Sequence, residues 1–243
     1  MAFVTLKFFS ESLGMQSEIY VIIPQKKRED GEKFKCLYLL HGLSDDHTIW
    51  MRRTSIERYA EKYGICVVMP NAHRSFYTNI KNGLPYYTYV AKELPELICS
   101  MFNVSDKRED NFVAGLSMGG YGALKIALRE CDRFCACGAL SAATDIVRRK
   151  GNETYTFVFG ENDEVSENDD LFILAKSKKD CENKPRIYMC VGTEDFLYDE
   201  NQRFKEHLLS LGYDLTYRES HGSHNWEFWD EYIKYVLDWM FCT

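Results

Sequence analysis

Asn111-Phe112-Val113-Ala114-Gly115-Leu116-Ser117-Met118-Gly119-Gly120-Tyr121-Gly122-Ala123-Leu124 sets a serine between two glycines at G-x-S-x-G spacing. An apolar strand-like run precedes it and a helix-forming run follows. A sharp strand-to-helix turn needs small residues at 115 and 119, because the chain bends back on itself there. The bend lifts the Ser117 hydroxyl clear of the backbone and turns the Met118 N–H toward the same space. The pattern points to a serine that attacks acyl groups.

Upstream, residues 4–9 and 18–23 read as strands joined through Gly14 and ended by Pro24, and the charged run 26–33, with Gly31, reads as a turn. Residues 34–40 and 65–69 are apolar strands without alternation, the sign of burial on both faces. Thr54-Ser55-Ile56-Glu57 has capping-box spacing, with Ile56, Tyr59, Ala60 and Tyr63 following at helical intervals up to Gly64. Residues 89–102 read as a helix that Pro95 starts or kinks. Downstream of the serine, 118–129 is a helix and 134–140 a strand. Then 186–191 and 213–219 are strands, and 199–211 and 225–241 helices. Strands alternating with helices predict an α/β fold, a mostly parallel sheet of about eight strands with helices on both faces. The two leading strands form its antiparallel edge. The 243 residues suit a single domain, 1–243. Residues 142–180 are the exception: Glu161, Asp163, Glu164, Glu167, Asp169 and Asp170 fall in one stretch without a basic residue. This reads as an insertion near the site, a lid in its sharper form, with no role given to the charges themselves.

With 30 Lys+Arg against 37 Asp+Glu the net charge is −7, a surface that repels phosphate backbones and disfavours nucleic-acid partners. The longest apolar runs are far too short to span a bilayer. The N-terminus lacks a basic lead, and Lys7 interrupts its apolar stretch, so no export signal is expected. Nine cysteines cannot all pair within one chain, and Cys36, Cys66 and Cys190 sit in strand-like runs where a thiol packs as a small hydrophobe. Cys131, Cys135 and Cys137 match no familiar zinc spacing, and Cys135 and Cys137 would face the same side of a strand. Core packing without a metal, in a reduced, cytoplasmic, soluble protein, is the expectation.

A serine hydroxyl needs a base within hydrogen-bond reach, itself oriented by a carboxylate. In open α/β sheets such groups lie on loops at the carboxyl ends of strands, and after a serine elbow the chain order is Ser, then Asp or Glu, then His. Gly192-Thr193-Glu194-Asp195 follows the strand ending at Val191 and makes Asp195 the acid. Glu194 would point to the other side of the turn, and Asp199 is better explained as the cap of the next helix. The loop Ser220-His221-Gly222-Ser223-His224 offers two bases, which spacing barely separates. His47, His73 and His207 fall outside the base position and read as surface or supporting residues. Leu40-His41-Gly42-Leu43 occupies the place of the oxyanion loop, with Leu43 N–H the second donor beside Met118 N–H and His41 a brace. Trp50, Phe76, Tyr77, Tyr86, Tyr87 and Trp226 flank this region as pocket wall or core, while Trp229 and Trp239 read as packing of the last helix.

These motifs resemble the esterase D family of α/β hydrolases, and within it the tributyrin-esterase-like branch, over essentially the whole chain. The resemblance rests on Leu39-Leu40-His41-Gly42-Leu43-Ser44-Asp45-Asp46 with Trp50 shortly after, and on Val68-Met69-Pro70-Asn71 running into Arg74-Ser75-Phe76-Tyr77. It rests equally on Gly115-Leu116-Ser117-Met118-Gly119-Gly120, Gly192-Thr193-Glu194-Asp195 and Gly222-Ser223-His224-Asn225-Trp226. It implies an α/β-hydrolase fold, a triad of Ser117, Asp195 and His224, and oxyanion amides from Leu43 and Met118. It further implies a serine carboxylesterase acting on short-chain acyl esters (tributyrin, acetyl or feruloyl type) through an acyl-enzyme, with no cofactor and no metal. Trp50 and Trp226 are the residues expected against substrate. Relatives in this broad family include S-formylglutathione hydrolases, feruloyl and acetylxylan esterases, and mycolyltransferases. S-formylglutathione hydrolases carry an Asp-Thr-Ser-Pro-Arg-type segment where this chain has Asn71-Ala72-His73-Arg74-Ser75-Phe76-Tyr77. A glutathione thioesterase is therefore the alternative, ranked behind small soluble esters, acylated sugars included. Acyl transfer to an alcohol ranks lower, and so does a non-catalytic binding role, since all three triad positions are filled and such binding proteins usually lose one. Family members often assemble, and the N-terminal edge offers a surface for a homo-oligomer.

Overall fold

The chain opens on a hairpin of β1 (Ala2–Ser10) and β2 (Met15–Ile23), in register from Ala2 beside Ile23 to Ser10 beside Met15. The computed structural model describes residues 1–25, 31–149, 152–160 and 165–242. Of the expected charged turn, 26–30 lie outside the described residues, as do Glu161, Asp163 and Glu164 of the acidic stretch. Glu93 holds the hairpin turn: its carboxylate accepts from Ser10 Oγ at 2.8 Å and from the Glu11 and Ser12 amides at 2.8 and 3.0 Å.

β3 (Cys36–Leu40), β4 (Cys66–Pro70), β5 (Asn111–Leu116), β6 (Ala136–Leu140), β7 (Arg186–Gly192) and β8 (Leu215–Ser220) complete one eight-stranded sheet. Its order is β1-β2-β4-β3-β5-β6-β7-β8. β3 to β8 run parallel, while β2 is antiparallel to both β1 and β4, so the fold is the α/β sheet expected, with its antiparallel edge at the leading hairpin. The register sets Leu40 beside Gly115 and Leu116 beside Leu140. The loops after β3, β5 and β6 therefore leave from one rim.

The helices are α1 (Ile49–Arg53), α2 (Ile56–Tyr63), α3 (Tyr86–Thr88), α4 (Leu94–Met101) and α5 (Met118–Arg129), then α6 (Glu153–Phe159), α7 (Leu171–Ser177), α8 (Tyr198–Ser210) and α9 (Trp226–Phe241). Side chains of α1, α2 and α9 pack on one face with Leu37 and Leu39; those of α3 to α8 pack on the other with Cys36, Tyr38 and Leu40. Both faces are thus covered, which is why every residue of β3, β4, β5 and β6 is buried and their sequences do not alternate. In α9 the buried Phe228, Trp229, Tyr232, Ile233, Val236, Leu237 and Met240 form one stripe at helical spacing.

Local details depart from expectation for identifiable reasons. The Thr54–Glu57 capping box does not form, because Thr54 already ends α1. Its hydroxyl donates to Trp50 O at 2.6 Å and accepts from the Ile56 amide at 3.1 Å. Asp199 lies inside the first turn of α8, whose N-cap is Leu197, and the Leu197 amide is taken by Asp195 Oδ1 at 2.8 Å. The helix expected over 89–102 begins at Tyr86, and a π turn (Tyr89–Glu93) joins α3 to α4. Pro95 has no N–H to return and its ring crowds the carbonyl one turn back, so the chain widens just before it. Cys137 packs on the α5 side of the sheet, whereas Cys135, ahead of β6, packs on the α9 side.

The segment 142–180 contains α6, α7 and a 3₁₀ turn (Ile146–Arg149), none of them foreseen. Its acidic residues have structural work: Asp170 Oδ1 caps α7 by accepting from the Phe172 and Ile173 amides. Asp169 pairs with the fully buried Lys125 of α5 at 3.0 Å. Lys125 Nζ also donates to Thr78 Oγ1 at 2.5 Å and Phe76 O at 3.2 Å, and burial pushes its pKa down to about 8. At the other end, Asp145 and Arg149 pair with Arg203 and Glu200 of α8 at 2.9 and 2.5 Å.

Candidate active site

Ser117 stands where β5 turns into α5, with φ 53° and ψ −117°, a backbone region that few residues with a side chain adopt. A Cβ on Gly115 would lie 2.5 Å from Gly119 C, and one on Gly119 would lie 2.5 Å from Leu40 O, so only glycine lets the elbow close. The Ser117 amide donates to Leu140 O at 2.9 Å, tying the turn to the end of β6. Met118 opens α5, and the first amides of a helix have no partner within it.

His224 Nε2 is 3.0 Å from Ser117 Oγ, and His224 Nδ1 is 2.9 and 3.0 Å from the two oxygens of Asp195. With a carboxylate on Nδ1, that nitrogen carries the proton, leaving Nε2 to accept from the serine hydroxyl. Asp195 is 4% exposed and keeps its orientation by accepting from the Leu197 amide. The other candidates pair with each other: His221 Nδ1 is 2.9 Å from Glu194 Oε1, on the exposed side of the same two loops. Glu194 also accepts from the Gly222 amide and from Thr193 Oγ1, and these bonds, with His221, hold its carboxyl down to about 2. Among the remaining histidines, His207 Nε2 is 2.8 Å from Phe172 O, between α7 and α8.

The loop after β3 lies against the serine, since a Cβ on Gly42 would be 3.8 Å from Ser117 Cβ. His41 braces it: Nδ1 donates to Gly42 O at 2.7 Å and Nε2 accepts from the Ala72 amide at 2.9 Å. Burial pushes its pKa down to about 4, so the ring is neutral in this role. Tyr77 Oη adds a bond to His41 O at 2.9 Å. The loop holding Gly42 and the start of α5 thus lie on either side of Ser117 at one rim of the sheet.

Several of the aromatic residues expected as pocket wall or core are core. Trp50 is 1% exposed and donates its indole N–H to Leu40 O at 3.1 Å, so it supports the loop from behind and has no surface left for a ligand. Phe76, Tyr77, Tyr86 and Tyr87 are likewise buried. Trp226 is half-buried and stands perpendicular to both Trp50 and Trp229, at 5.1 and 5.3 Å. Trp229 does more than pack α9: its ring is perpendicular to His224 at 4.8 Å and its N–H donates to Ser141 Oγ at 3.1 Å. Tryptophans thus link the loop after β3 to the imidazole. Phe196, which no motif singled out, packs on His224 at 4.5 Å. Its only signal in the sequence is an apolar side chain directly after Asp195.

Among the described residues no group of three or more His, Cys, Asp or Glu could hold a metal, and no helix is long and apolar enough to cross a membrane. A serine, imidazole and carboxylate in hydrogen-bonded series can take a proton from the hydroxyl.

Residues 10–237 match the family model described as "Putative esterase". An acetyl esterase of Caldicellulosiruptor saccharolyticus is 33% identical, over 99% of this chain and 98% of its own. Among solved structures, the fluorophosphonate-binding serine hydrolase F of Staphylococcus aureus, with substrate bound, superposes with a TM-score of 0.89 at 35% identity, over 98% of both chains. The S-formylglutathione hydrolase of Staphylococcus aureus, as apoenzyme, does so with a TM-score of 0.89 at 34% identity, again over 98% of both.

Proposed function

Because the chain belongs to this esterase family of serine-type carboxylic ester hydrolases, we propose that Ser117, His224 and Asp195 are its nucleophile, base and acid, acting on short-chain acyl esters through an acyl-enzyme. The observation that carries this reading is the unbroken series Ser117 Oγ, His224 Nε2, His224 Nδ1, Asp195. His224 takes the Ser117 proton as Oγ bonds to the ester carbonyl carbon, and then gives it to the departing alcohol oxygen. Asp195 keeps the imidazole in the required tautomer and stabilises its charged form. The Leu43 and Met118 amides bind the oxyanion, where loss of one such donor costs about 3 kcal/mol. Water activated by the same imidazole then releases the acid.

Substrates are small esters of acetyl, butyryl or feruloyl type, acylated sugars included; the acetyl esterase relative supports the acetyl end of that range. A thioesterase acting on S-formylglutathione is the second reading, favoured by the likeness to a hydrolase of that name. We read the chain as one domain with 142–180 as an insertion beside the site, in a cytoplasmic protein whose cysteines stay reduced. Its exposed edge strand β1, with Phe3 and Phe9 facing solvent, provides a surface for a second copy. Hydrolysis of 4-nitrophenyl acetate against a Ser117→Ala control tests the enzyme reading, and equal rates in the two would end it. Rates on ethyl butyrate, methyl ferulate and S-formylglutathione then separate the substrate classes.

A further inference from the structure

We propose that Phe196 is the platform for the alcohol portion of the ester, and that it favours alcohols with a broad apolar face, such as an aryl ring or the flat side of a sugar. The inference rests on the roles proposed above for Ser117 and His224. Phe196 is 73% exposed, the highest fraction of any large hydrophobic side chain among the described residues. Its neighbours hold it there: Asp195 is buried at 4%, Leu197 at 1%, and the Leu197 amide is bonded to Asp195 Oδ1. The main chain is thus fixed on both sides, and the ring between them faces out with its centre 4.5 Å from that of His224, at an interplanar angle of 51°.

The chemistry of acylation decides which part of the substrate meets this ring. Ser117 Oγ bonds to the carbonyl carbon and the bond from that carbon to the alcohol oxygen breaks. The proton from Oγ passes through His224 Nε2 to that oxygen, which must therefore lie within hydrogen-bond reach of Nε2. The carbons attached to it then lie beside the imidazole. The carbonyl oxygen is turned away, toward the Leu43 and Met118 amides. A ring packed on His224 accordingly meets the alcohol before it meets the acyl chain, and an aromatic platform stacks best on another flat apolar surface.

The test is kcat/KM, which reports acylation, for wild type, Phe196→Ala and Phe196→Tyr. Phenyl acetate and methyl acetate share an acyl group, while ethyl acetate and ethyl butyrate share an alcohol. Phe196→Ala is expected to lower the phenyl-to-methyl ratio roughly three- to tenfold, the span of one aromatic contact. The acetate-to-butyrate ratio should hold, and Phe196→Tyr should restore the first ratio. A shift in the acyl ratio, an equal loss on all four esters, or unchanged ratios would overturn the proposal. So would a change confined to self-association in sedimentation, which would make Phe196 a contact between copies. If wild type hydrolyses none of the four, or Ser117→Ala retains the rate, the reading of the site itself falls and this inference with it.

Discussion

Glu194 holds His221 at 2.9 Å, one residue before Asp195 holds His224 at the same distance, so two carboxylate–imidazole pairs fasten the loop after β7 to the loop after β8. Only the second pair reaches Ser117. The first is a fastening, since Glu194 also accepts from the Gly222 amide, two residues from His224. Glu194→Gln should lower kcat by about tenfold through a misplaced imidazole, with little change in KM. With its carboxyl held at about 2 against an ordinary 4.5, Glu194 adds stability that is present above pH 4.5 and lost as the pH falls toward 2. Acid unfolding of wild type and Glu194→Gln should converge across that window; parallel curves would refute the linkage.

His224→Ala should abolish the acyl-enzyme burst and cut kcat by roughly 10⁴-fold or more, whereas His221→Ala should leave most activity. Stopped-flow measurement with an activated acetate ester distinguishes them. Loss of the burst in His221→Ala alone would reverse the assignment of the base.

His41 is neutral because burial holds its pKa at about 4 against an ordinary 6.5. Between those values the unfolded chain binds the extra proton, so stability is complete above pH 6.5 and declines as the pH falls to about 4, by roughly 3 kcal/mol. His41→Gln, whose amide can serve Gly42 O and the Ala72 amide without titrating, should flatten that slope in denaturant melts. Its kcat should fall by up to about 10²-fold through a displaced Leu43 amide, while fluorophosphonate labelling of Ser117 persists.

Lys125→Met should destabilise the fold by about 3–5 kcal/mol, because it strands the Asp169 carboxylate in a largely dry site. Lys125→Met with Asp169→Leu should recover much of that loss. Chemical denaturation of the single and double variants measures both, and additive losses would argue against coupling.

Ser117→Gly should be more stable than Ser117→Ala by about 1–3 kcal/mol, or several degrees in Tm, because glycine tolerates φ 53° and alanine does not. Both are expected to be inactive. Equal melting temperatures would mean that the elbow stores no strain.

What the sequence disclosed was set by what a local pattern can encode. Ser117, Asp195 and His224 could be placed because each follows a strand whose apolar run is visible, and the sheet brings strand ends to one rim. The helix Met118–Arg129 was legible to the residue for the same reason. Features that depend on distant partners were not legible. Trp229 looked like packing until Ser141, 88 residues away, took its N–H. Trp50 looked like pocket wall until its N–H proved to be turned to Leu40 O. Thr54 and Asp199 carried cap signatures, but the neighbouring α1 and the start of α8 at Tyr198 decided otherwise. Asp169 was given no role because nothing nearby in sequence announces Lys125.

That lysine joins parts of the chain 44 to 49 residues distant, and it does so through one amine. Each bond is worth forming only when the others are in place, since a half-satisfied ammonium in a dry site is worse than a wet one. The loop at 76–78, the helix that follows Ser117 and the start of α7 should therefore assemble and dissolve as one cooperative unit. Hydrogen exchange in these segments should report a single opening energy, and partial unfolding of 142–180 should begin at α6 rather than at α7.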